Sequence, residues 1–137
     1  VALGVVTAQE EEWRVVENPY QEDLAYSVGE TFSPGVELDG LRWRSFRIAA
    51  AEGEIITAGE DVSTEVFLEF ENRGRKGVRV LVILLLEDED GTPLERIEAR
   101  TFKVAGNRLK ERVESVTISG DVLRATRRVY AFCEIVG

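Results

Sequence analysis

Few side chains in this chain are of types and spacing that could do chemistry. Asp88-Glu89-Asp90, followed by Gly91, puts carboxylates where oxygen ligands for Ca²⁺ would be wanted, with Asp88 and Asp90 as the candidate ligands. The spacing does not complete an EF-hand loop, and the run reads more readily as an acidic, solvated hairpin tip. Glu10-Glu11-Glu12 has the same two readings. Arg42, Arg44 and Arg47 line one segment and are expected to pair with acidic residues of a neighbouring strand, within the subunit before across an interface. Cys133 alternates with polar and aromatic neighbours on an inward face, which suits a small core residue better than a reactive thiol.

Catalysis finds little to work with. The chain has no His, so the usual nucleophile–base triads and His-based metal sites are unavailable. No Gly-rich phosphate loop follows a strand and opens a helix. Carboxylates are numerous enough to imagine a glycosidase pair, but they alternate with apolar residues, as on a solvated sheet face. The expectation is a protein that is not an enzyme and has no cofactor other than optional Ca²⁺.

The elements that must carry these residues read as β throughout. Glu10 to Val16 fits either a turn or two of helix or the start of a strand. Leu41 to Ile48 alternates apolar residues with Arg and then slips by one, Leu41 and Trp43 on one parity, Phe46 and Ile48 on the other. This predicts a β-bulge at Arg44 or Ser45. Val62, Val66, Leu68 and Phe70 share a face, and Arg73 to Gly77 forms a basic turn. Val78 to Leu86 is apolar on both parities, which predicts a central strand covered on both sides. Asp88 to Pro93 supplies a hairpin signal. Strands are expected at Leu94–Val104, Leu109–Ile118 and Arg127–Val136, separated by turns at Ala105-Gly106-Asn107 and Ser119-Gly120-Asp121. Many strands between turn signals imply an all-β sandwich, jelly-roll or Ig-like, in one domain of 137 residues.

Charge narrows the partners. With 26 acidic against 17 basic residues the net charge is -9, which argues against nucleic acid and against an anionic membrane surface. No apolar stretch approaches the ~18 residues of a membrane helix. Met and His are absent and Arg and Glu carry most of the charge, a composition that hot environments select. A lone Cys leaves the redox compartment unreadable.

The N-terminal run Val1-Ala-Leu-Gly-Val-Val-Thr-Ala8 is uncharged, with Val1, Leu3, Val5 and Thr7 on one parity and mostly small residues on the other. As a strand it would present one bulky face, suited to insertion into a groove. Three readings compete: a signal remnant cleaved near Val6-Thr7-Ala8, the first strand of its own domain, or a strand donated to a second copy. An apolar terminus is expected to be packed rather than free. In the third reading, residues 1–16 are an extension, residues 17–137 are the sandwich, and Val1, Leu3, Val5, Val6 and Thr7 form the subunit interface.

Two segments carry a family resemblance. Glu30-Thr-Phe-Ser-Pro-Gly-Val-Glu-Leu38 resembles the N-x-F-x-A-G-x-L-x-L segment of TasA/camelysin-like proteins. Ala58-Gly-Glu-Asp-Val62, continuing to Phe70-Glu-Asn-Arg-Gly74, is similar to their P-G-D turn, strand and N-x-G turn, with Ala58 in place of Pro and Glu60 inserted. The similarity spans roughly residues 24–86. It implies a secreted subunit of biofilm-matrix fibres or archaeal bundling pili, in which the N-terminal segment of one jelly-roll-like domain completes the sheet of the next. Some relatives are described as metalloproteases, an activity for which a chain without His lacks the usual ligands. The expected product is an extracellular homopolymer of identical subunits joined head-to-tail, with a monomeric Ig-like binding or accessory domain at the cell surface as the alternative.

Overall fold

The computed structural model describes residues 12–137. Val1, Leu3, Val5, Val6 and Thr7, named above as interface residues, lie outside the described residues, as do Glu10 and Glu11. The chain folds as an all-β sandwich of two sheets. In order the strands are β1 (Arg14–Val15), β2 (Tyr20–Ala25), β3 (Thr31–Phe32), β4 (Val36–Leu38), β5 (Leu41–Ala50), β6 (Asp61–Asn72), β7 (Val78–Glu87), β8 (Pro93–Val104), β9 (Arg108–Ser119) and β10 (Arg128–Ile135), with a short helix α1 (Gly120–Ala125) before the last strand. The first sheet runs β1-β4-β5-β6-β9, with β3 also paired to β5; the second runs β2-β10-β7-β8.

Alternation explains the layers. On β6, Val62, Thr64, Val66, Leu68, Phe70 and Asn72 are buried and the residues between them face outward. Trp43, Phe46 and Phe70 fill the centre with no exposure; Trp43 stacks on Phe70 at 5.5 Å and meets Tyr20 of the opposite sheet edge-on at 6.1 Å. Each such aromatic contributes roughly 1.5–3 kcal/mol on burial. Tyr26 also comes from the second sheet's side. Its hydroxyl donates to Glu30 O (2.6 Å) and accepts from Ile48 N (2.8 Å), and burial pushes its pKa up to about 12.

The expected bulge is present: Trp43 pairs with Phe70 and Ser45 with Glu69, leaving Arg44 as the extra residue. Because side chains alternate with period two, this insertion puts Arg47 on the same outer face as Arg42 and Arg44. The hairpin at Asp88–Thr92 also forms, closed by Asp88 N to Thr92 O (3.0 Å) with Gly91 at φ 83°. Ser119-Gly120-Asp121 is more than a turn, since the Ser119 hydroxyl caps the Asp121 amide and starts α1. Gly120 is obligatory there, because a Cβ would lie 2.0 Å from Thr57 O.

The expectation for Val78–Leu86 needs correction. β7 is central in its sheet, between β10 and β8, but it is covered on one side only among the described residues. Val80, Val82, Leu84 and Leu86 are buried; Leu81, Ile83 and Leu85 point outward and are half-exposed.

Candidate functional site

The described chain begins along the first sheet. Arg14 N donates to Gly35 O and Val16 N to Glu37 O, both at 2.9 Å, which lays β1 parallel to β4. Arg14 and Val15, assigned by sequence to the N-terminal extension, are thus paired within their own domain. Val15 is 75% exposed, while Val16 packs against the core. The chain then crosses to the second sheet as β2. Glu22 there binds the Arg14 guanidinium (2.6 Å) and accepts from the Tyr20 hydroxyl (2.7 Å). These two partners hold the Glu22 carboxyl below its usual range, and Glu22 in turn raises the pKa of Arg14. Burial, reinforced by the Glu22 charge, raises that of Tyr20.

The outer face of the first sheet is a ladder of opposite charges. Arg42 meets Glu37 (2.8 Å) and Glu71 (3.8 Å), while Arg44 meets Glu69 (3.5 Å) and Glu71 (3.4 Å). Pairing is therefore within the subunit. The Trp13 ring lies under both guanidinium groups, at 4.8 Å from Arg42 and 5.6 Å from Arg44, and Arg47 stands over Phe67 at 5.4 Å. Two shallow hollows flank the bulge. One, of about 290 Å³, is bordered by Thr31, Ser45, Arg47, Phe67 and Val113; the other, of about 340 Å³, by Glu12, Trp13, Ser33 and Arg44.

The far edge of this sheet is β9, which pairs with β6 over its whole length without a register shift and has no partner on its other side among the described residues. Its two halves differ. Lys110, Arg112 and Glu114 share the core-side parity near the turn, with Arg112 bound to Glu114 at 2.7 Å. Inward charges of this kind discourage edge-to-edge pairing. From Ser115 to Ser119 the strand carries no charge, and Val116 and Ile118 take the inward positions. Leu109 and Val113 are 55% and 49% exposed on the outer face.

The second sheet presents a different outer face. Leu81, Ile83 and Leu85 of β7 lie beside Tyr130 and Phe132 of β10, all five half-exposed. At one end Glu87 is buried with its Oε1 lacking a hydrogen-bond partner. Desolvation, followed by the neighbouring Asp23 carboxylate, pushes its pKa up, against the pull of Arg128; Arg128 itself binds Asp23 at 3.1 Å.

Asp88 and Asp90 come together at the β7–β8 tip, but Asp88 Oδ1 accepts from the amides of Asp90 and Thr92, both at 2.9 Å. The side chain thus closes its own turn. Among the described residues no group of three or more acidic, Cys or His side chains has the geometry to hold a metal ion. Cys133 is buried, and desolvation raises its thiol pKa.

Asn72 is a residue whose role sequence reasoning missed. Its amide nitrogen donates to Lys76 O (2.8 Å) and Val104 O (3.1 Å), and its oxygen accepts from Gly74 N (2.8 Å). It ties β6 of one sheet to β8 of the other. An Asn preceding a Gly-rich turn signals a local cap, but not the long-range bond to Val104.

These features define a two-sheet β-sandwich in which, among the described residues, the 12-residue strands β9 and β8 each end a sheet. No protein-family model and no curated protein matches the chain. Among solved structures it is similar to a DUF1425 family member from Shewanella sp. pv-4, at TM-score 0.39 and 14% identity, covering 68% of this chain and 81% of that one. It is also similar to the enzymatically active domain of tailspike protein 4 of bacteriophage CBA120, at TM-score 0.28 and 14% identity, covering 88% of this chain and 18% of that one. No helix among the described residues is long and apolar enough to cross a membrane.

Proposed function

We propose that the chain is a structural subunit of an extracellular filament, in which Val1, Leu3, Val5, Val6 and Thr7 of one copy add as a strand to the next. The observation that carries this reading is the edge of β9, long, straight and uncharged from Ser115 to Ser119. Strand addition satisfies the backbone groups of such an edge, and alternate side chains of the incoming strand pack on either side. An uncharged N-terminal run matches an uncharged acceptor. A head-to-tail contact of this type does not close, so it propagates as a fibre. The resemblance of residues 24–86 to TasA/camelysin-like fibre subunits supports the same class.

A second reading, a monomeric Ig-like accessory domain, is favoured by the pairing of Arg14 and Val15 with their own β4. Deleting residues 1–8 separates the two. In the filament reading, electron micrographs show fibres from the full chain and none from the deletion, and excess synthetic peptide of residues 1–8 slows assembly. Fibres of normal appearance from the deletion variant overturn it.

A further inference from the structure

We infer that, in a subunit that has not yet assembled, residues 1–8 cover the β9 edge of their own chain, led there by a trough on the outer face of the first sheet. The inference rests on the reading of β9 as an acceptor edge and concerns how that edge is guarded before a second copy arrives. The backbone of β9 has groups to offer. Gly120 N donates to Glu60 O (2.7 Å), continuing the register that pairs Ser119 with Asp61. Bonded positions alternate along an antiparallel ladder, so Glu114, Val116 and Ile118 bond to β6. Val113, Ser115 and Thr117 then turn their N–H and C=O groups to the open side. No charged side chain guards that side from Ser115 to Ser119.

The described residues fix where the path starts. Trp13 is held under Arg42 and Arg44, and Glu12 borders the hollow beside Ser33, so residue 12 stands on the outer face. Thr31, Ser45 and Glu69 border both hollows, which makes them one trough across the bulge. The trough opens onto the row Arg47, Phe67 and Val113, register partners on β5, β6 and β9. That row runs from a base through an aromatic ring to an aliphatic side chain at the sheet edge, about 10 Å in all. Read back from Glu12, the chain is Glu11, Glu10, Gln9, Ala8, Thr7: acids first, then no charge. The two orders match. Glu10 and Glu11 meet Arg47, whose guanidinium stacks on Phe67 and donates to Gly29 O (3.2 Å) but meets no carboxylate among the described residues. Ala8 then lies over Phe67 and Thr7 reaches Val113, which is 49% exposed. From there residues 1–6, about 20 Å when extended, match the stretch of β9 from Val113 to Ser119. A segment tethered this way has an effective concentration on the order of millimolar at its own edge. Dilute subunits therefore stay closed, and a strand from a second copy must displace the resident one.

A cysteine pair tests this in the full chain. Thr7→Cys with Val113→Cys is treated with a thiol oxidant at a dilution where sedimentation shows single subunits. Cys133 is buried and stays out of the reaction. The expected product is a disulfide within one chain, seen as a band of shifted mobility with the mass of one subunit. Arg47→Glu should slow its formation at least about tenfold through like-charge repulsion. Adding Glu10→Arg and Glu11→Arg to that variant should restore the rate, a rescue that misfolding could not produce. The locked chain should form no fibres, and reduction should return them. Links only between chains, no link at all, or a rate indifferent to Arg47→Glu each overturn the inference. So does a failed rescue. The filament reading is judged separately. A bond within one chain that never forms fibres upholds the guarded edge and counts against the filament, while fibres from a chain that links only between copies do the reverse.

Discussion

The outer faces of the two sheets solve the same problem in opposite ways. On the first, the bulge at Arg44 gathers three arginines on one face, and Glu37, Glu69 and Glu71 answer two of them at 2.8–3.8 Å. Those two arginines find their acids within one subunit, while Leu109 and Val113 stay exposed at the β9 edge of the same face. On the second, the centre is apolar, and the charges at its margins pair within the subunit, Asp23 with Arg128 and Arg96 with Glu98, both at 3.1 Å. One extra residue in β5 sets a face lined with paired charges against one with an apolar centre. A face is best read by where its charges find partners, rather than by how many it has.

The contrast can be broken from the joint between the sheets outward. The largest effect is expected from Asn72→Ala, which strands the carbonyls of Lys76 and Val104 and the amide of Gly74 in a buried site. A loss of about 2–4 kcal/mol in urea unfolding is expected, from the typical cost of buried unsatisfied groups. Both faces should be lost together, because the residue belongs to neither.

A smaller effect, confined to the second sheet, follows from Glu87. Its folded pKa is raised by burial and by Asp23, despite Arg128, with Asp88 adding to the rise. A raised carboxyl pKa contributes stability that is fully present below the unfolded value and lost as pH rises through the folded one. Glu87→Gln should therefore raise the melting temperature at pH 7, by the equivalent of about 1–2 kcal/mol. It should change little at pH 4, and thermal melts at the two values decide the point.

The smallest effect is expected on the first sheet. Arg42→Ala should cost under ~1 kcal/mol, and less at high salt, because ladder charges near solvent are individually weak. A loss in urea unfolding as large as that of Asn72→Ala would show instead that the ladder is not screened by solvent.

How much of this could be read in the sequence depends on range. The bulge was legible because a parity slip at Ser45 is a local signal, and Asp88 to Pro93 specified its hairpin for the same reason. The one-sided burial of β7 was not legible, since periodicity reports that both parities are apolar but not whether a second layer exists. Ser119 reads as a turn residue until its hydroxyl is seen to cap Asp121. Asn72 lay hidden because its bond to Val104 spans 32 positions. The strand edge was visible only as a consequence of topology, and no residue of β9 announces that its far side is open. The N-terminal interface residues belong to a segment outside the described residues, so their proposed role rests on their composition.

The placement of β10 has a consequence in time. This strand, the last in the chain order of elements, is not peripheral: it stands between β2 and β7 and pairs with both along its length. Until Arg128–Ile135 arrives, β2 has no neighbour in its sheet, although it precedes β10 by about a hundred positions. The second sheet, and with it the half of the core that receives Trp43 from across the sandwich, can close only once β10 has been made. Contacts of such long sequence separation make folding slow. β2 must therefore wait for β10, and the sandwich stays half-built until that strand is in place.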